Sequence, residues 1–302
     1  MNAFDPEHRF NPDSNRGAYQ IGVLVSYALF GVTTTQTYIY FNHFSDDSRK
    51  LKALVGFIWV CGLAHALCVG HALYIHTIST RDVLLSSKTI YVSFLIAGLI
   101  AACVQGFFGF RIYAFSKKLR LPILIWIMAF LRLAASNSIF LLEPARAVPL
   151  RLAETQYWVQ SSGWGIGVAN DLMITTTIVF ILRRQSTGVH ERTLALVDKL
   201  ISWSIETGIM TSAVGIVQLI CFLALPPENW IWIAVFTIEA RIYANSFLAS
   251  LNGRTTLRTM NDAPLSFAIP EAEFTSSSDQ ITNVRPVRPS GLGVDAGHSG
   301  QV

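Results

Sequence analysis

Asn170 and Asp171 sit inside the stretch GWGIGVANDLMITTTIVFILRR, Gly163 to Arg184, where almost every neighbour is apolar. A carboxylate in such surroundings requires a partner: a cation, hydrogen-bond donors, an ion or a ligand. His65, Arg132, Glu239 and Arg241 are embedded in apolar sequence in the same way. A carboxylate facing arginines has three uses. It locks helices together, it holds a polar group of a ligand or ion, or it switches between two arrangements. The sequence contains neither H-E-x-x-H nor G-x-S-x-G, and no nucleophile–base set is spelled out, so no residue is read as catalytic.

The elements that must position these residues follow from composition. The chain has 302 residues, 52% hydrophobic and 14% charged; a soluble domain carries about 25% charged residues. The apolar residues are clustered into seven runs, roughly 18–41, 51–76, 89–113, 121–142, 158–182, 200–225 and 230–251. Each is long enough to cross a bilayer as a helix. The sixth is interrupted by Glu206 and Gln218 and ends at Pro226-Pro227, which forces a turn into the seventh. The expected fold is all-α: a polytopic integral membrane protein with seven transmembrane helices over 18–254. An extracellular or lumenal segment, 1–17, precedes it. A cytoplasmic tail over 257–302, rich in Ser, Pro, Gly and Val, is expected to be disordered.

Charge gives the orientation. With the N-terminus outside, the inner loops and tail hold fifteen Lys and Arg, including Arg49, Lys50, Lys117, Lys118, Arg120, Arg183 and Arg184, against six outside. That asymmetry predicts N-out, C-in. The net charge of +4 is then a consequence of topology and no sign of nucleic-acid binding. The first 17 residues lack a basic region leading into a short apolar core, so the first span is expected to serve as its own insertion signal. Cys61, Cys68, Cys103 and Cys221 all fall within spans, which argues against an extracellular disulfide.

A rise of about 1.5 Å per residue places Arg132, Asp171, Glu239, Arg241 and His65 about 15–21 Å from the cytoplasmic ends of their spans. With Asn170 they form a mid-membrane polar layer, in which Asp171 is expected to be ionised and paired with Arg132 or Arg241. A second layer, Gln36, Gln105, Glu206 and Asn245, comes out about 7–12 Å from the cytoplasmic boundary. Arg241 and Asn245 share a face of span seven. Glu239 lies about 200° round from Arg241, so either it meets another helix elsewhere or span seven is polar on both sides.

Other patterns are weaker. GWGIG opens a membrane span with no strand before it, so Gly163 and Gly167 read as a helix-packing pair and not as a phosphate loop. Cys61, His65 and Cys68 share one helical face, but no fourth ligand is apparent, and neither metal nor cofactor is expected. Tyr38, Tyr40, Trp59, Trp126, Trp158, Trp230 and Trp232 read as interfacial anchors or core filler.

Asn170-Asp171, Ser186-Thr187-Gly188, Asp198 to Ile201, Thr207-Gly208, Thr211-Ser212 and Tyr243 to Arg254 together resemble the fungal membrane-protein family described as domain of unknown function 6534. The likeness covers about 168–254, with Met210 and Phe247 standing where the family pattern has Leu, and the first spans look similar. The resemblance implies a seven-span fungal membrane protein and carries no established activity.

The leading expectation is a receptor-like seven-helix protein that senses a small apolar ligand and meets a cytoplasmic signalling partner, in the plasma membrane rather than an internal one. Ser276, Ser277 and Ser278 in the inner tail add to it. The alternatives are a transporter or lipid-handling protein that uses the mid-membrane polar layer, and a lipid head-group enzyme. The lipid bilayer is the one partner every reading requires.

Overall fold

The computed structural model describes residues 12–78, 88–142, 150–186, 191–225 and 229–262. Within lipid, backbone groups must pair inside their own segment, so long apolar runs become helices. Among the described residues seven form: α1 Pro12–His43, α2 Arg49–Ile78, α3 Lys88–Ser116, α4 Arg120–Leu142, α5 Leu150–Ser186, α6 Glu191–Ala224 and α7 Ile231–Asp262. Each contains a stretch long and apolar enough to cross a membrane.

Two bounds differ from expectation. α1 begins at Pro12, inside the segment expected to precede the bundle; proline is well tolerated in a first helical turn, where its missing N–H has no partner to lose. α7 continues past 257 to Asp262, because the next proline in the chain is Pro264. The expected tail from 263, Pro226-Pro227 and Thr187-Gly188 lie outside the described residues.

The ends have local causes. Asn229 Oδ1 accepts from the Ile231 backbone N–H at 2.9 Å, capping the start of α7. α3 ends with Lys117 in the left-handed region, φ 56°, its N–H bonded to the Tyr113 carbonyl at 2.8 Å.

Consecutive helices pack side by side, α7 closes against α1, and α3 and α7 also touch across the middle. α7 is the central element: 72% of its span is buried, against 22–50% in the other six. Gly22 allows α1 to lie almost on it, since a Cβ there would fall 2.7 Å from the Ala234 Cα. Leu24, Leu67, Phe130, Phe180 and Ile220 remain exposed, an outer surface that suits acyl chains. Trp158 and Tyr38 join that surface at 60% and 69% exposure, whereas Tyr40 and Trp232 are core.

Candidate functional site

α7 places polar groups on two opposite faces, as the angle between Glu239 and Arg241 requires. On one face Asp171 of α5, 5% exposed, receives two hydrogen bonds. Gln105 Nε2 of α3 donates to Oδ1 at 2.7 Å, and the Tyr243 hydroxyl of α7 donates to Oδ2 at 2.5 Å. Tyr243 in turn accepts from Arg132 Nη1 of α4, and the Arg132 guanidinium lies 4.8 Å from the Tyr243 ring centre.

Arg132 makes its ion pair elsewhere. Its Nη2 donates to Glu239 Oε1 at 2.8 Å, both side chains being nearly sealed from solvent. Gln218 of α6, with its amide nitrogen turned to the carboxylate, donates to Glu239 Oε2 at 2.6 Å. Its oxygen then accepts from Trp164 Nε1 at 3.1 Å, and Gln160 offers the same indole a second acceptor at 3.3 Å. The result is an unbroken chain, Trp164–Gln218–Glu239–Arg132–Tyr243–Asp171–Gln105, across α3, α4, α5, α6 and α7. In a low-dielectric interior such a satisfied network holds its members strongly, and losing one strands the next.

The Trp164 end of the chain is aromatic. Trp164, Phe222 and Trp232 pack with ring centres 4.7–5.7 Å apart, and Phe94 lies 6.0 Å from Trp232 and 4.5 Å from Phe236. At the other end, Asp171 and Gln105 reach a cavity of about 30 Å³ that also touches Ser204, Thr207 and Thr211 of α6. That is room for one or two waters beside hydroxyl groups.

On the opposite face of α7, Arg241 is fully buried. It donates from Nε to Ser26 Oγ at 3.0 Å and from Nη1 to the Gly62 carbonyl at 2.9 Å. Nη2 lies 3.2 Å from His65 Nδ1, and the guanidinium sits 4.9 Å from the Phe30 ring centre. Neutral acceptors and an aromatic face therefore solvate this cation, with no carboxylate bonded to it among the described residues.

Several expectations need correction. Asp171 forms no direct ion pair with Arg132 or Arg241 among the described residues. Tyr243 stands between Asp171 and Arg132, and Arg241 is on the far side of α7. The mid-membrane residues form two clusters: Asp171, Glu239 and Arg132 in one, Arg241 and His65 in the other. Asn170 stands apart, donating to the Ile125 carbonyl at 3.3 Å. The four residues of the second layer do not bond to one another among the described residues. Gln105 reaches Asp171, while Asn245 binds α1 through the Leu29 carbonyl at 3.1 Å. Gln36 receives Asn252 Nδ2 on its backbone oxygen at 2.8 Å, and Glu206 is exposed, taking a bond from Ser202. Helical rise orders Cα positions alone, and a glutamine side chain reaches across the gap between the two depths.

The sequence reading missed Trp164 and gave Gln218 and Tyr243 no role. Gln218 was visible as a polar interruption of an apolar run, and Tyr243 as a polar-tipped ring on the central helix. The packing pair behaves as read. A Cβ at Gly163 would fall 2.5 Å from the Ala135 Cβ, and one at Gly167 would fall 2.8 Å from Arg132 Cδ. Gly167 thus leaves the space through which the Arg132 side chain passes. No group of three or more His, Cys, Asp or Glu is placed to hold a metal among the described residues.

Residues 167–256 match the model of a family of unknown function, DUF6534. No curated protein and no solved structure matches the chain. The matched segment contains Asp171, Gln218, Glu239 and Tyr243. It also contains Gly253, packed on Trp203, and Arg254, whose Nη2 pairs with Asp47 Oδ2 at 2.6 Å. Arg132, Gln105 and Trp164 lie outside it.

Proposed function

We propose that this chain is a receptor-like integral membrane protein, N-terminus outside and C-terminus in the cytoplasm, that senses a small apolar ligand at the aromatic cluster around Trp164. The observation that carries this reading is the hydrogen-bonded chain from Trp164 to Asp171. It connects the half of the bundle near Trp232 to the cavity beside Ser204, Thr207 and Thr211 on α6. A ligand that displaces the Trp164 ring would pull on Gln218 and so on Glu239, and the ion pair would have to rearrange or resist. The bias of Lys and Arg supports the orientation, which turns the α6 cavity toward the cytoplasm, where a signalling partner would read a shift of α6. The plasma membrane suits a sensor of external compounds, and the fungal resemblance fits such a role. Transport finds less support, because the aromatic cluster fills the bundle beyond Glu239.

The test screens terpenoid and medium-chain fatty alcohols against the purified full-length protein by thermal unfolding. A compound that raises the parent's Tm should lose that effect in Trp164→Leu and should alter hydrogen exchange across 201–211. Stabilisation that survives Trp164→Leu, or leaves 201–211 unchanged, overturns the reading. Accumulation of the same compounds in proteoliposomes would favour transport.

A further inference from the structure

A second recess shares no lining residue with the cavity beside Asp171. The α3–α4 turn and the last turns of α5 enclose a groove of about 810 Å³. Its rim carries Lys118, Arg120 and Arg184; its wall is Phe115, Leu121, Phe180 and Ile181; no carboxylate lines it among the described residues. The side chains of Lys118 and Arg120 make no hydrogen bond or ion pair among the described residues, and both residues are exposed. The turn that presents them is built. Ser116 Oγ accepts from the Lys118 N–H at 3.2 Å and lies 3.3 Å from the Lys118 carbonyl, beside the left-handed Lys117. The positive end of the α4 dipole points into the same place.

We propose that this groove binds one anionic phospholipid of the cytoplasm-facing leaflet. Its phosphate headgroup lies against Lys118, Arg120 and Arg184, and an acyl chain runs along Leu121 and Phe180. Charge and position both select that occupant. The basic rim stands where the apolar spans of α3, α4 and α5 end, which is the level of the headgroups. Below it the wall turns apolar. Phe180 is 66% exposed and Leu121 43%, surface that acyl chains cover. Thr176 spends its hydroxyl on the Leu172 carbonyl at 2.8 Å and offers the groove little polarity. From Arg184 to Thr176 the wall extends about 12 Å, enough for the upper part of an acyl chain. A soluble acidic peptide would find the charges but would leave this apolar wall uncovered.

The experiment is native mass spectrometry of the full-length protein released from micelles with phosphatidylserine, phosphatidylinositol 4-phosphate or phosphatidylcholine. The parent should retain one anionic lipid in preference to phosphatidylcholine. The double variant Lys118→Gln/Arg120→Gln should lose that preference by about 30-fold, the combined effect of two interfacial cations. The control Arg49→Gln/Lys50→Gln removes equal charge from the first turn of α2 and should bind as the parent does. Equal retention of anionic and zwitterionic lipid, or equal loss in the control, overturns the proposal. Competition by glycerophosphoserine as effective as by the intact lipid would mean that the phosphate alone is bound, and would overturn the lipid assignment. An acidic peptide that displaces the lipid with higher affinity would do the same. A photoreactive phosphatidylserine supplies a readout that needs no variant: its crosslinks should map to 115–121 and 176–184, and crosslinks confined to other segments contradict the site. None of these outcomes depends on a ligand at Trp164.

Discussion

Glu239 is where the polar chain is most exposed to a single change. It holds the Arg132 guanidinium at 2.8 Å and the Gln218 amide at 2.6 Å in a site about 5% accessible. Replacing it with alanine leaves a buried cation with the Tyr243 hydroxyl alone, since Arg132 Nε already lacks a partner among the described residues. Stranding one member of a buried pair costs about 3–5 kcal/mol. For a chain of this size that corresponds to a fall in Tm of roughly 5–8 °C. Glu239→Gln is milder. Its oxygen still accepts from Arg132, and Gln218 turns its amide to match while Trp164 keeps Gln160. The loss is then that of a charge-assisted bond, about 1.5–3 kcal/mol. Arg132→Met/Glu239→Leu removes both charges and should recover much of the alanine loss, because neither group is stranded. The assay is thermal unfolding of the purified protein in one detergent, followed by intrinsic tryptophan fluorescence. Glu239→Ala with the parent's Tm would refute the ion pair. A double variant worse than either single change would refute the reasoning about stranded charge.

Asp171→Asn should cost about 1 kcal/mol, because its oxygen serves Tyr243 and Gln105 can present Oε1, which has no partner among the described residues, to the new amide. Asp171→Ala leaves the Tyr243 hydroxyl and Gln105 amide without acceptors and should cost about 3 kcal/mol; equal Tm shifts for the two variants would contradict this. Gly167→Ala would place a methyl 2.8 Å from Arg132 Cδ and should cost about 1–3 kcal/mol. Gly165→Ala meets nothing within 4 Å and should be neutral or stabilising by up to about 1 kcal/mol, so denaturation midpoints that rank the two glycines the other way count against the packing. A reporter fused after Val302 should be cytoplasmic and a tag before Met1 accessible on intact cells, and the reverse labelling would invert the orientation.

The seven spans were legible because hydropathy over 20 residues is a strong, one-dimensional signal. The buried charges were legible because lipid makes them expensive. Their pairing was not. Hydropathy and rise order residues along the membrane normal but say nothing of how each helix is rotated or which neighbour it meets. Arg132 and Arg241 lie at similar depth yet face opposite sides of α7, and only the packing of α4 against α5 and α1 against α7 separates them. The 200° between Glu239 and Arg241 was an azimuthal clue in the sequence, and it placed them on different faces. The bond from Gln105 to Asp171 was not legible because depth along the helix leaves out side-chain length, and Trp164 was not because one aromatic among many carries no individual signal.

Coupling from Trp164 to Asp171 requires the chain between them to act as one unit, and a double-mutant cycle measures this directly. Gln218→Leu and Asp171→Asn alter opposite ends, with Glu239, Arg132 and Tyr243 between them. Their effects on unfolding free energy should be non-additive by more than about 0.5 kcal/mol, while Gln218→Leu with Ser26→Ala, on the far face of α7, should be additive. Additivity within about 0.3 kcal/mol for both pairs would mean that the polar residues are independent local contacts, and the proposed coupling between the two halves of the bundle would be wrong.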